Sequence, residues 1–142
     1  MRFMLLVKAT QTSEAGMLPD EKLLAAMENF NEEMAAAGVL LAGEGLHPSS
    51  KGVRVKFSGR KRTVTQGPFS ETKELIAGFW LIQVKSEEEA IAWVKRCPNP
   101  MPGSDGEIEI RRVFEASDFP AMTPERRKKE DKLRTLVDSQ LH

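Results

Sequence analysis

The sequence predicts an α+β domain in which helices cover one face of an antiparallel sheet. Three observations support this class: short apolar runs typical of strands, two segments with helical patterning, and strands that follow one another with few helices between them. The length of 142 residues fits one domain. A chain of this size buries roughly 70% of the surface that its unfolded form exposes, so it needs no disulfide or metal to fold.

The chain begins with a predicted strand and helix. Residues 2–9 form a compact apolar run, as expected for a buried central strand. A polar loop follows. Beyond Asp20 an apolar stripe predicts a helix that Gly38 ends, with Leu23, Met27, Phe30 and Met34 on the stripe. Residues 39–46 are predicted to form the second strand.

A hairpin is predicted next. Val53, Val55 and Phe57 alternate with polar residues, which indicates a strand with one buried face. Residues 58–61 have the composition of a hairpin turn, and residues 62–65 are predicted to return as the following strand.

The remaining core elements are a strand, a helix and a strand. Residues 79–84 are strand-like, and Ser86 with Glu89 three residues later forms a capping-box pattern that begins a second helix. A proline-rich loop at 97–103 ends this helix, and residues 107–113 alternate as the last strand. This order of elements is close to the split βαβ, ferredoxin-like arrangement.

Two of the strands are apolar on both faces. Every position in residues 3–7 and again in residues 79–82 is apolar. Two helices cover only one face of such a sheet. We therefore expect the other face to pair with a second copy of the chain, giving a homodimer that forms sheet to sheet.

Composition excludes several classes of protein. The 21 basic and 21 acidic residues balance, so no global field attracts nucleic acid or an anionic membrane. Cys97 is the single cysteine, which rules out an internal disulfide and favours a reducing compartment. No apolar run approaches the roughly 20 residues of a membrane span. These features predict a cytoplasmic protein that interacts with no membrane and is unlike a nucleic-acid binder.

No cofactor or metal is predicted. The sequence contains no phosphate-binding loop of the GxxxxGK type and no dinucleotide fingerprint after a strand. One internal histidine and one cysteine are too few for a zinc site of the usual type.

The end of the chain has a different character. Residues 1–118 are predicted to form the domain, and residues 119–142 a charged tail or helix outside it. Residues 125–134 hold six basic and three acidic side chains. Such mixed charge is typical of a solvated helix face, whereas phosphate binding needs a clustered positive patch.

His47 is the first candidate for chemistry. It follows a predicted strand and precedes Pro48, so it lies at a strand end. Histidine is the natural proton carrier near neutral pH. The alternative is a hydrogen-bonded strand-end residue with no catalytic role.

The loop before the Trp80 strand is the second candidate. It is charged and turn-rich, as functional loops beside a scaffold strand often are. Glu71 is a candidate catalytic carboxylate, and the candidate substrate-binding residues are Gln66, Phe69, Lys73, Glu74 and Trp80. A solvated charged turn remains the alternative. Gly78 indicates a bulge or a close backbone approach.

These motifs resemble the YCII-related family, in particular its DGPF-domain branch. The most specific match is Gly-Pro-Phe-x-Glu-x-Lys-Glu at residues 67–74, followed by Gly78. Further matching segments lie at residues 3–6, 27–34, 37–40, 45–48, 78–82 and 88–93. The resemblance spans roughly residues 1–115 and implies a dimeric ferredoxin-like α+β barrel.

The resemblance implies two functions. Some members of the wider family place a histidine and an aspartate together in a pocket, which implies a small-molecule enzyme. The DGPF branch is associated with extracytoplasmic-function sigma factors, which implies a ligand-binding or regulatory role without catalysis. In this chain Gln66 replaces the aspartate of Asp-Gly-Pro-Phe, and an amide cannot accept a proton as a carboxylate does. This chain has then either lost that carboxylate or uses Glu71 in its place.

Overall fold

The computed structural model describes residues 1–141, so His142 lies outside the description. Along the chain the helices and strands are β1 (Arg2–Lys8), α1 (Gln11–Glu14), α2 (Glu21–Ala36), β2 (Leu40–Gly45), β3 (Val53–Ser58), β4 (Lys61–Gln66), β5 (Ile76–Gln83), α3 (Glu87–Arg96), β6 (Ile108–Arg112) and α4 (Pro124–Leu141). The chain divides into two compact units, Met1–Arg112 and a second that begins at Val113 and contains α4.

The first unit confirms the α+β, ferredoxin-like class. Four strands form one sheet in the order β2-β5-β1-β6, and every neighbouring pair is antiparallel. The two central strands, β5 and β1, are not adjacent in the chain, so the connections cross over as in a split βαβ unit. β3 and β4 form a separate two-stranded hairpin, as predicted. The buried face predicted for β3 is absent, because the hairpin lies outside the main sheet and all residues of both strands are exposed.

The core lies on one face of this sheet, between the strands and the helices α2 and α3. Alternate residues of β1 and β5 point into it, and the buried residues include Phe3, Leu5, Val7, Phe30, Met34, Trp80, Ile82 and Ala90. The Phe30 and Trp80 rings meet edge to face with their centroids 5.6 Å apart, a favoured arrangement for aromatic pairs. The helices α2 and α3 therefore cover the same face, as the sequence predicted.

The helix ends follow the predicted chemistry, with one difference. The Asp20 carboxylate accepts the Leu23 N–H at 2.8 Å, and Gly38 has a φ of +74° just beyond α2. Ser86 accepts the Glu89 N–H, but the Glu89 carboxylate takes the N–H of Lys85 instead of the N–H of Ser86. In the capping box of α3, therefore, the bond from the Glu89 N–H to Ser86 is present, but the return bond from the Ser86 N–H to the Glu89 carboxylate is not.

Two segments differ from the sequence prediction. β5 begins at Ile76, three residues before the predicted start at residue 79. The short helix α1 lies in the predicted polar loop, because the Thr10 hydroxyl accepts the Ser13 N–H while the Ser13 hydroxyl oxygen accepts the Thr10 N–H. This reciprocal capping gives α1 its start at Gln11.

None of the helices within residues 1–141 combines the length and the apolar character needed to cross a bilayer. The longest, α4, is rich in charge along its 18 residues.

Replacing Met34 by alanine should unfold the first unit more easily. Met34 is 0% exposed, so the truncation leaves a cavity and should cost about 2–5 kcal/mol in the free energy of unfolding. Urea denaturation followed by tryptophan fluorescence measures it. Leu18→Ala is the control, because Leu18 is 83% exposed and should change stability by no more than about 0.5 kcal/mol. Equal effects of the two changes would contradict the core assignment.

Candidate functional site

Four loops meet at one end of the main sheet. The end of β1 pairs with the start of β5, the end of β2 also pairs with the start of β5, and the start of β6 pairs with the end of β1. The segments that leave or enter the sheet here are residues 9–20, 46–52, 67–75 and 97–107. Loops held on a rigid scaffold in this way are a common setting for binding sites.

Backbone hydrogen bonds join these loops. The Leu46 N–H donates to the Ala77 carbonyl at 2.8 Å, and the Gly67 N–H donates to the Gly52 carbonyl at 2.9 Å. The segment that contains His47 is therefore connected both to the start of β5 and to the Gly-Pro-Phe turn.

A chain of side-chain hydrogen bonds adds to this connection. Ser49 donates its N–H to one Glu14 carboxylate oxygen at 2.9 Å and its hydroxyl to the other. The Ser49 hydroxyl oxygen in turn accepts the Phe69 N–H at 3.0 Å. This Glu14–Ser49–Phe69 chain joins α1, the loop after His47 and the Gly-Pro-Phe turn. A charged acceptor makes such bonds stronger than neutral ones.

Close backbone packing makes a glycine necessary at position 67. A Cβ atom there would lie 1.7 Å from the Ser49 carbonyl oxygen, well inside any tolerable contact. The peptide bond that follows, to Pro68, is cis. The glycine of the Gly-Pro-Phe motif therefore lets the turn pack directly against the segment that follows His47.

Gly78 shows both features that its sequence context predicted. A Cβ atom there would lie 2.9 Å from the Glu44 carbonyl oxygen. The pairing of β1 with β5 also shifts between Val7 and Lys8, opposite this part of β5. The close approach holds the end of β2, and hence the start of the His47 segment, against β5.

Phe69 is half-buried behind the turn. The Arg54 guanidinium lies over its ring, 3.8 Å from the centroid, in a cation–π contact. Arg54 belongs to β3, so the hairpin and the turn are joined by this stacking contact as well as through the chain.

The other predicted polar residues lie at the same end of the sheet and are exposed. His47 follows β2, Gln66 ends β4, and the short turn Thr72–Glu74 carries Lys73 and Glu74 directly after Glu71. Within residues 1–141, no side-chain hydrogen bond joins His47 to a carboxylate. The fold thus brings these residues to one region without pairing them.

Trp80 lies elsewhere, on the helix-covered face. It is 7% exposed, and its indole N–H donates to the Asn31 side-chain oxygen at 2.7 Å. A Cβ atom at Gly43 would lie 2.6 Å from the Trp80 ring, so the ring packs directly over β2. The observed contacts of Trp80 are those of a core residue that sets the position of β2.

Sequence reasoning missed Glu14 and Ser49. They are 35 residues apart in the chain, and neither belongs to a motif with a fixed spacing. The one signal for Ser49 was its position two residues after His47, at the start of a turn. No sequence pattern around Glu14 indicates a role in the site.

An open groove of about 460 Å³ lies between the end of α3 and the start of β6. Its lining consists of Val94, Cys97, Pro98, Asn99, Pro100, Asp105, Gly106 and Ile108, and includes none of the predicted site residues. Burial raises the pKa of the Cys97 thiol to about 12. The thiol therefore stays protonated near neutral pH, where only the thiolate is a nucleophile.

The described part of the chain contains no group of three or more His, Cys, Asp or Glu side chains arranged to hold a metal ion.

Comparison with known proteins identifies a family, a similar curated protein and a similar solved structure. The sequence matches the YCII-related domain family over residues 1–117. An uncharacterised protein of Rhizobium meliloti is 32% identical over 92 residues, which cover 65% of this chain and 73% of that protein. A solved structure, 5-chloro-2-hydroxyhydroquinone dehydrochlorinase of Burkholderia phenoliruptrix in complex with 2,5-dihydroxybenzoquinone, is similar with a TM-score of 0.47 and 16% identity, over 83% of this chain and 98% of that one.

Replacing Ser49 by alanine should loosen the loops. The change removes the hydroxyl that Glu14 and Phe69 share, and it should cost about 1–3 kcal/mol because two part-buried polar groups lose a partner. Urea denaturation measures the loss, and amide hydrogen exchange should rise at Phe69. Ser50→Ala, at the exposed neighbouring position, is the matched control. If both variants match the unaltered chain, the hydrogen-bond chain contributes no stability.

Proposed function

This chain belongs to the YCII-related family, and we propose that it binds a small molecule at the loop-bearing end of its sheet and acts on it with His47 as general acid or base. The Gly-Pro-Phe-x-Glu-x-Lys-Glu motif at residues 67–74 supports a place in the DGPF branch.

One observation supports this function above the others: the Glu14–Ser49–Phe69 chain. It holds the segment after His47 against the Gly-Pro-Phe turn, so two loops with polar side chains keep a fixed relation. A general acid or base must be held within reach of the proton that it transfers. Rigid support of the loop backbone is the first requirement for that geometry.

Each residue then has a role in the proposal. His47 transfers the proton, and Glu71 orients its imidazole or the substrate. Lys73 holds an anionic group of the substrate, while Gln66 and Glu74 supply further hydrogen bonds. Phe69 provides the apolar contact. Trp80, a candidate substrate-binding residue from the sequence, acts instead from the core by holding β2 and so the segment that leads to His47.

We further propose that the working form is a dimer with a pocket in each protomer. On the face of the sheet opposite α2 and α3, the half-buried residues Met4, Leu6, Phe79 and Leu81 form one apolar patch. An ion pair between Arg111 and Glu109 borders it at 3.2 Å. Burial of this patch against a second sheet would stabilise the dimer and shelter the loop end from water.

The second candidate is a ligand-binding or regulatory domain without catalysis, of the kind associated with extracytoplasmic-function sigma factors. Gln66 favours it, because the aspartate of the family motif is absent from this chain. A binding domain needs the same loops but no proton carrier.

Substitution of His47 by glutamine separates the two candidates. A screen of small metabolites by thermal shift identifies compounds that raise the unfolding temperature, since a ligand of the native state stabilises it. Any turnover of such a compound should fall roughly 100-fold or more in His47→Gln and in Glu71→Gln, as is typical when a general acid or base is lost. Glu125→Gln, in the first turn of α4, serves as the control and should keep full activity.

Two outcomes of this experiment distinguish the candidates. Unchanged turnover in folded, dimeric His47→Gln would rule out its catalytic role. Thermal stabilisation with no turnover in the unaltered chain would favour the binding domain.

Replacing Leu81 by lysine should weaken the proposed sheet-to-sheet dimer. The ammonium would sit in the centre of the apolar patch, and burying an unpaired charge is costly. Sedimentation velocity should show the monomer at concentrations where the unaltered chain is dimeric. Ile91→Lys is the control, because Ile91 is an exposed residue of α3 on the other side of the sheet. A dimer that survives Leu81→Lys would place the interface on a different surface.

A further inference from the structure

The β3–β4 hairpin has an exposed apolar face. Val53, Val55, Phe57 and Val64 are 55%, 47%, 70% and 61% exposed. Strand pairing sets Val55 opposite Val64, so the apolar side chains of both strands share one face. Residues 53–66 are hereafter called the arm.

Packing within the chain does not account for this face. In the described chain, β3 and β4 pack extensively only on each other, and all residues of both strands are exposed. A two-stranded hairpin of this kind is marginally stable in water by itself. Contiguous exposed apolar surface usually marks a place where another molecule binds.

The arm is also strongly basic. From residue 45 to residue 70 the sequence has no acidic residue, and the basic residues are Lys51, Arg54, Lys56, Arg60, Lys61 and Arg62. No ion pair with a carboxylate involves any of these six side chains within residues 1–141. The neutral total charge of the chain hides this local excess.

A surface of opposite character precedes the arm in the chain. Residues 9–50 contain seven acidic residues and one basic residue. Within them, Met17, Leu18 and Leu24 are exposed apolar residues, and Asp20, Glu21 and Glu28 are exposed acidic ones. Residues 17–28 are hereafter called the acidic surface.

We propose that the arm docks on the acidic surface of a second copy of this chain, and that the second copy returns the same contact. The two surfaces match in both respects. The apolar face of the arm carries Arg62, which pairs with Phe57 across the strands, and Arg60 lies in the turn at its tip. The exposed apolar residues of the acidic surface lie among carboxylates, so the charges at the contact are opposite in sign. Complementary charge fixes the register of an interface, and apolar contact supplies the burial. Reciprocal exchange between two copies gives a closed, two-fold dimer.

A nucleic acid is a poorer match for the arm. Phosphate would satisfy the basic side chains, but it would leave the valines and Phe57 exposed to water. The acidic surface would also have no partner in such a complex. A second copy accounts for both surfaces at once.

Docking of the arm would also affect the candidate site, because the arm is connected to it. β4 ends at Gln66, the next residue is Gly67, and Arg54 lies on the Phe69 ring. An arm held by a second copy would therefore fix the position of the turn beside His47. The contact itself depends neither on catalysis nor on the sheet-to-sheet interface, so it can be tested separately from both.

Mixing two charge-reversed variants of the full chain tests the proposal. The first carries Arg60→Glu and Arg62→Glu, at the tip and on the apolar face of the arm, and the second carries Glu21→Lys and Glu28→Lys in the acidic surface. Each variant alone opposes like charges across the contact, so its self-association should weaken about tenfold or more. In an equimolar mixture, opposite charges face each other at both contacts, and association should return towards that of the unaltered chain.

Sedimentation velocity at low and high salt measures these affinities, and added salt should reduce the differences. The matched control is Lys128→Glu with Lys132→Glu in α4, which makes the same charge change outside the arm and should leave association unchanged. Phe57→Ser should weaken association without altering the net charge.

Three results would overturn the proposal. One is unchanged association of both charge-reversed variants. Another is a mixture that associates no better than its components, which would be expected if the arm folded onto its own chain. The third is tight, arm-dependent binding of duplex DNA in a fluorescence anisotropy assay at physiological salt. Restored association in the mixture would support the arm contact even if Leu81→Lys left the dimer intact.

Discussion

The candidate site depends on the contact between Ser49 and the Glu14 carboxylate. Neighbouring strand ends bring the loops to one end of the sheet, and backbone hydrogen bonds from Leu46 to Ala77 and from Gly67 to Gly52 join them. Ser49 donates two hydrogen bonds to Glu14 and accepts one from Phe69, so one short side chain holds three segments together. Gly67 makes the arrangement possible, because any Cβ atom there would collide with the Ser49 carbonyl.

Most of the scaffold could be predicted because its signals are local. The apolar stripe of α2 and the pairing of the hairpin each follow from local patterns, and both were confirmed. The alternation in β3 also predicted one buried face, and this was wrong, because every residue of both hairpin strands is exposed. Trp80 shows where prediction from local patterns fails. Every residue of its strand from 79 to 82 is apolar, so alternation could not say which side chains face the helices. In the folded chain Trp80 lies opposite Leu5, a core residue of β1, so the two side chains share the helix-covered face and the indole lies in the core.

The site was predictable only in outline. His47 lies at a strand end, as its position before Pro48 indicated, and the charged loop lies at the same end of the sheet. The pair that organises these loops was missed, because Glu14 and Ser49 are distant in the chain and both are common residues in turns. Long-range side-chain pairs of this kind leave no periodic signal, and only the folded chain reveals them.

The partial burial of Cys97 has a practical consequence for study of this protein. A thiol whose pKa is raised to about 12 is almost wholly protonated near neutral pH, so it reacts slowly with maleimides and other thiol reagents. A cysteine introduced on an exposed loop would have an ordinary thiol and would react first. Fluorescent or spin probes could therefore be attached at chosen loop positions while the native cysteine remains in place, and the motions of the loops around His47 could be followed in the otherwise unaltered chain.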